Sequence, residues 1–106
     1  MTNLAARHCK PSVTKLGAAE RTKLADQLTG WQIEAETLVK TFPFKNYYET
    51  MAFVNMVAWI AHREDHHPDL TVGYNKCRVA FSTHSVGGLS ENDFICAARI
   101  ESALGA

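Results

Sequence analysis

The sequence predicts an α+β domain in the order α-β-β-α-β-β-α, a four-stranded antiparallel sheet with helices packed on one face. Two β-rich runs, "WQIEAETLVKTFPF" and "LTVGYNKCRVAFST", are each followed by a segment with helical character. The longest of those, residues 45–66, carries apolar residues at helical spacing. At 106 residues and 46% hydrophobic, the chain has material for one core and one domain. This order of elements is that of a layered α+β sandwich.

Residues 1–17 are polar, contain Pro11 and end at Gly17, so they read as an arm, loosely held unless it docks on a neighbour. Residues 18–106 form the single domain. "AAERTKLADQL", residues 18–28, consists of helix formers with Leu24 and Leu28 on one face, and Thr29-Gly30 ends it. Trp31, Ile33 and Ala35 then alternate with Gln32, Glu34 and Glu36, and a β-rich run continues to Phe44. Two strands joined near Glu36 follow from that pattern, with Pro43 confined to a strand end or sheet edge because it cannot donate to a ladder.

In residues 45–66, Tyr47, Met51, Val54, Ala58 and Ala61 mark one helical face, while Phe53, Met56, Val57, Trp59 and Ile60 extend the apolar surface around most of the circumference. That surplus predicts either a contact with a second subunit or burial under the chain's own arm. The second hairpin turns around Asn75, with Cys77, Val79, Phe81 and Thr83 on one face. Ser90 and Asp93 stand in S-x-x-D spacing before "FICAARIESAL", which predicts a capped helix running nearly to the C-terminus.

Composition excludes several functions. Eleven Lys and Arg balance eleven Asp and Glu, so the basic excess that drives phosphate binding is missing and direct nucleic-acid binding is not expected. Cys9, Cys77 and Cys96 form no CxxC pair, which argues against a disulfide framework or thiolate zinc site and fits a reducing cytoplasm. No signal peptide is evident in residues 1–16. "MAFVNMVAWIA" is about half the length of a bilayer span and carries Asn55, so no membrane segment is expected.

Three of five histidines fall in "AHREDHHPDL", residues 61–70. His62 and His66, four apart, are expected on one helical face. Pro68 disfavours the helical conformation for His67, so the helix should stop near His66 and send the two adjacent imidazoles in different directions. Divergent imidazoles suit two jobs on one substrate better than two bonds to one ion. His84 offers a third imidazole where the fourth strand runs into the "SVGG" loop. Asp93, in the first turn of its helix, favours the helix dipole whatever else it does.

These residues resemble the pterin-4a-carbinolamine dehydratases, also called dimerisation cofactors of a homeodomain transcription factor. The resemblance rests on His66-His67-Pro68, Tyr74, His84 and Asp93 at the family's spacings, with "YNK", "STH" and "GLSENDF" around them, and covers about residues 20–104. One departure is His62, where the family often has an acidic residue; the arm resembles bacterial members more than the animal form.

The resemblance implies dehydration of 4a-hydroxytetrahydropterin to the quinonoid dihydropterin, recycling the cofactor of aromatic amino acid hydroxylases. It implies no metal and no cofactor of its own. Partners so implied are the pterin, a homodimer or homotetramer, and a hydroxylase as the enzyme served. His66 and His84 are then the acids at the 4a-hydroxyl, on alternative faces, and His67 the binding residue and base; imidazole titrates near enough to neutrality for either task. The expected substrate-binding residues are Asp65, Pro68, Ser82, Thr83, Asp93 and His62. Two competing readings stand beside this one: a zinc-like site on His62, His66 and His84, and a non-catalytic interaction module of the transcription-cofactor kind.

Overall fold

The alternation in the two β-rich runs resolves, in a computed structural model describing residues 3–105, into strands β1 (Gln32–Glu34), β2 (Thr37–Pro43), β3 (Asp69–Val72) and β4 (Lys76–Phe81). They form one antiparallel sheet in the order β1-β2-β4-β3. Helices α1 (Ala18–Ala25), α2 (Tyr47–Glu64) and α3 (Glu91–Ala103) complete the predicted order. Pairing of Leu38 with Phe81 and of Phe42 with Cys77 lines up the inward positions of the two central strands. Because side chains alternate across a strand, this register puts Leu38, Phe42, Cys77, Val79 and Phe81 together in the core. Pro43 is the last residue of β2, beyond the reach of β1, where its missing N–H costs nothing.

The core continues into α3, whose Phe94, Ile95, Cys96, Ala97 and Ile100 are fully buried. Ser90 caps this helix and Asp93 returns to the Ser90 amide, the reciprocal capping box its spacing predicts. At its other end Glu101 accepts from the Trp31 indole at 2.8 Å and from Lys40 at 2.7 Å, fixing the helix to the sheet. The first helix is shorter than predicted: it ends at Ala25, so Leu24 packs against the core from its last turn and Leu28 from the turns that follow.

Two expectations about the chain's apolar surface need correction. The buried face of α2 is Thr50, Phe53, Val57 and Glu64, not the stripe through Tyr47 and Ala58, both of which are exposed. A helix apolar around most of its girth has no stripe that periodicity can select; the sheet and α3 decide which residues they cover. The arm is not loose. Leu4, in a 3-10 turn (Leu4–Ala6), is buried in the core beside α3, and Leu16 N donates to Leu89 O at 2.8 Å. Of the supposed surplus on α2, Phe53 and Val57 are core and Met56 and Ile60 half-buried, while Trp59 remains exposed. Among the described residues no helix is long and apolar enough to cross a membrane.

Candidate active site

The histidines are delivered by the way α2 ends. Asp65 takes a left-handed conformation (φ 53°, ψ 44°), and both its amide and that of His66 donate to Ala61 O. This is a left-handed helix terminus, occupied by one of the few side chains that tolerate it. The helix therefore stops at Glu64, before Pro68 has any influence, and His66 is not on a helical face with His62 as expected. His62 is exposed and packs on Trp59, ring centroids 5.6 Å apart. His66 instead turns inward and stacks on Phe81, with centroids 5.9 Å apart and planes at 8°.

Beneath His66 lies a fully buried carboxylate. Asp93 Oδ1 is 2.6 Å from His66 Nε2, while Oδ2 accepts from the Thr83 hydroxyl at 2.8 Å and from the Ser90 amide at 3.0 Å. The Ser90 hydroxyl, 2.7 Å from Thr83 Oγ1, donates to it, because the Thr83 proton is already committed to Asp93. Every neighbour of Asp93 in this set can donate, which suits an ionised, acceptor-only carboxylate. His66 Nε2 must then carry the shared proton, leaving Nδ1 as the ring nitrogen available for chemistry.

An open cleft of about 250 Å³ runs past this pair, lined by Asp65, His66, His67, Ser82, Thr83, His84 and Ser85. Part of its lining, Thr83 to Ser85, is fixed by a small closed loop. Thr83 N donates to Gly88 O at 2.8 Å, and a 3-10 turn (His84–Val86) between them ends on Gly87 at φ 66°. That left-handed φ favours glycine, and at Gly88 a side chain would collide with Lys15 and Glu36. The loop thus brings His84 to the same cleft as the residues that follow α2.

Of the residues singled out by sequence, the fold brings together Asp65, His66, His67, Ser82, Thr83 and His84. Asp93, expected to bind substrate, is 0% exposed and lies behind His66. Pro68 and His62 do not line the cleft. The three-imidazole metal alternative needed His62 beside His66 and His84, and among the described residues no group of three His, Cys, Asp or Glu side chains is placed to hold an ion. Sequence reasoning missed Phe81 as the platform under His66, Ser85 in the cleft lining, and Thr83 as the second holder of Asp93. The S-x-x-D spacing marked the cap, but nothing local announced the partner ten residues upstream.

A histidine-lined cleft in an α+β sandwich, with one imidazole held by a buried carboxylate, has the groups that general acid–base chemistry requires. Residues 14–103 match the family model described as pterin 4 alpha carbinolamine dehydratase, and the chain belongs to that family. A relative from Nitrosospira multiformis, provisionally named a pterin-4-alpha-carbinolamine dehydratase, is 61% identical over 93% of this chain and 90% of its own. Among solved structures, a transcriptional coactivator/pterin dehydratase from Brucella melitensis aligns with TM-score 0.81 at 30% identity, covering 84% of this chain and 97% of that one. A pterin dehydratase-like protein identified as a RuBisCO assembly factor in the alpha-carboxysome aligns with TM-score 0.59 at 25% identity, over 72% of this chain and 88% of that one.

Proposed function

We propose that this chain dehydrates a pterin-4a-carbinolamine to the quinonoid dihydropterin by histidine acid–base catalysis. The observation that carries the reading is the meeting of His66, His67 and His84 at one cleft with His66 held by Asp93. In the reaction the C4a–O bond breaks, the departing hydroxide takes a proton, and N5 loses one, so water leaves. One group must donate while another accepts. His66, with Nε2 tied to Asp93, exchanges its proton at Nδ1 and serves the 4a-hydroxyl. His84 serves it on the alternative face of the pterin, and His67 binds the ring and takes the N5 proton. Asp65, Ser82 and Thr83 offer polar contacts along the pterin edge. No step calls on a metal, and the quinonoid product, once a separate reductase has returned two electrons to it, serves an aromatic amino acid hydroxylase again as tetrahydropterin, in the cytoplasm. The test is decay of a freshly generated carbinolamine followed optically with and without the protein; decay no faster than in buffer would refute the reading.

The chain is further proposed to self-associate as a dimer or tetramer through α2 or an open sheet edge. Trp59 is 59% exposed on α2, and Val72 is 42% exposed on the edge strand β3. Sedimentation at micromolar concentration checks this, and a clean mass near 11.8 kDa overturns it.

A second reading, an interaction module without turnover, draws on the exposed Tyr48 and Trp59 and on the coactivator and assembly-factor descriptions of the two structural neighbours. An inert but folded protein in the carbinolamine assay would favour it.

A further inference from the structure

The N-terminal arm packs on α3 and brings two thiols into contact. Cys9 Sγ and Cys96 Sγ are 3.5 Å apart, though 87 residues separate them in sequence. The approach is held from both sides. Cys9 N donates to Glu64 Oε1 at 2.8 Å, Lys10 N donates to Asn92 Oδ1 at 3.0 Å, and Asn92 Nδ2 donates back to Lys10 O at 2.8 Å. Each thiol also has a carbonyl of its own within reach, Asn92 O for Cys9 at 3.6 Å and His66 O for Cys96 at 3.8 Å. The sulfurs can therefore face one another without sharing a proton. Cys9 is half-buried and Cys96 fully buried.

We propose that Cys9 and Cys96 are a peroxide-sensitive thiol pair whose disulfide staples the arm to α3 and loosens the backbone anchor of His66. A Cys9 thiolate attacks hydrogen peroxide: an S–O bond forms, the O–O bond breaks, and hydroxide leaves as water after taking a proton, giving a sulfenic acid at Cys9. Cys96 then gives up its proton and attacks the Cys9 sulfur; the S–S bond forms, the S–O bond breaks, and a second water leaves. The sum is two thiols and one peroxide converted to one disulfide and two waters. Accessibility sets the order, because only Cys9 reaches solvent. Contact with Cys9 and burial push the Cys96 thiol up, so it does not attack peroxide first and gives up its proton only as it attacks the Cys9 sulfenic acid, whose departing oxygen takes it.

Closing the sulfurs from 3.5 Å to the bonded distance of about 2.05 Å removes the Cys96 S–H, so the 3.8 Å contact with His66 O loses its hydrogen bond. The same bond closes a long loop, which limits the unfolded chain and stabilises the fold. A disulfide of this kind is transient in a reducing compartment and therefore suits a signal rather than a permanent staple.

The experiment treats the reduced, full-length protein with a few equivalents of hydrogen peroxide, then blocks free thiols and maps peptides without reductant. A Cys9–Cys96 crosslink is expected, leaving Cys77 as the one free thiol, with a thermal midpoint several degrees higher and full reversal by dithiothreitol. Cys9→Ser and Cys96→Ser should each abolish the crosslink, whereas Cys77→Ser should retain it. A sulfinic acid at Cys9 with Cys96 still free, a crosslink between two chains, or no reaction would each overturn the pair. The link to the site rests on the dehydratase reading: carbinolamine turnover should fall several-fold on oxidation and recover on reduction. A crosslink with unchanged turnover overturns that link. A reduced protein that is already inert refutes the dehydratase reading instead and leaves the crosslink result standing.

Discussion

Two histidine–carboxylate pairs begin within three residues of each other, at Glu64 and His66, and they do different things. His66 Nε2 meets Asp93 Oδ1 at 2.6 Å, with side-chain exposures of 12% and 0%. His8 Nδ1 meets Glu64 Oε2 at 3.1 Å, with exposures of 70% and 3%. Both carboxylates are buried; the difference lies in what else each one holds. Asp93 binds a hydroxyl and an amide that belong to the core, so its third bond fixes one imidazole beside a cleft. Glu64 binds the Cys9 amide and lies 3.5 Å from Arg99 Nε, so it fixes a segment of chain, and its histidine is left mostly in water. Burial of an acid therefore says little about its task until its other partners are known.

Asp93→Asn should show the largest effect, because an amide cannot accept from all three donors. Turnover should fall at least about a hundredfold through loss of His66 orientation. Circular dichroism should still show the fold, and a variant with near-normal turnover would erase the distinction between the pairs. His66→Ala, His67→Ala and His84→Ala follow, each expected to reduce turnover by about a hundred- to ten-thousand-fold and by unequal amounts, with the triple variant near the uncatalysed rate. Stopped-flow decay curves for the three would rank their roles.

Glu64→Gln tests the other pair. It should cost about 1–3 kcal/mol in urea unfolding, since a buried charged acceptor loses strength against the arm amide and Arg99, while turnover stays within a few-fold. A collapse of turnover equal to that of Asp93→Asn would show that the arm is part of the catalytic apparatus.

The same pair predicts an acid limit. Burial works to raise the Glu64 carboxyl, but the Cys9 amide, the His8 ring and Arg99 outweigh it and hold it below its usual value of 4.5. A depressed folded value means the contribution is complete above the unfolded value and disappears as pH falls through the folded one. Stability should therefore hold down to about pH 5 and decline below pH 4.5, and amide exchange of residues 4–10 should quicken there first. Glu64→Gln should remove that portion of the decline.

The smallest effects belong to the exposed histidines. His8→Ala should change stability by less than about 1 kcal/mol, as for most surface ion pairs. His62→Gln should leave the maximum rate within a few-fold. A collapse of the rate at every pH would place His62 in the catalytic set despite its position against Trp59 outside the cleft.

The secondary structure was legible because its signals are local. Alternation in "KCRVAF", the S-x-x-D cap and helical periodicity are set by neighbours a few residues away, and all three elements they marked are present. The cluster of imidazoles was legible for the same reason: His66-His67-Pro68 and His84 stand out as residue types at recognisable spacing. What the sequence by itself determined was the order of elements, the capped start of α3, and the set of side chains able to move protons.

Tertiary structure alone decided the orientation of those side chains. Where α2 stops depends on a left-handed Asp65, which separates His62 from His66; which face of α2 is buried depends on the sheet and α3 that cover it. Asp93 has a capping role visible from three residues away and an orienting role visible only when His66, 27 residues upstream, is folded onto it. The contact between Cys9 and Cys96 spans nearly the whole chain. Contacts between distant residues are chosen by the global packing that excludes water from one core, and no local pattern in the chain records which of the possible pairings that packing selects.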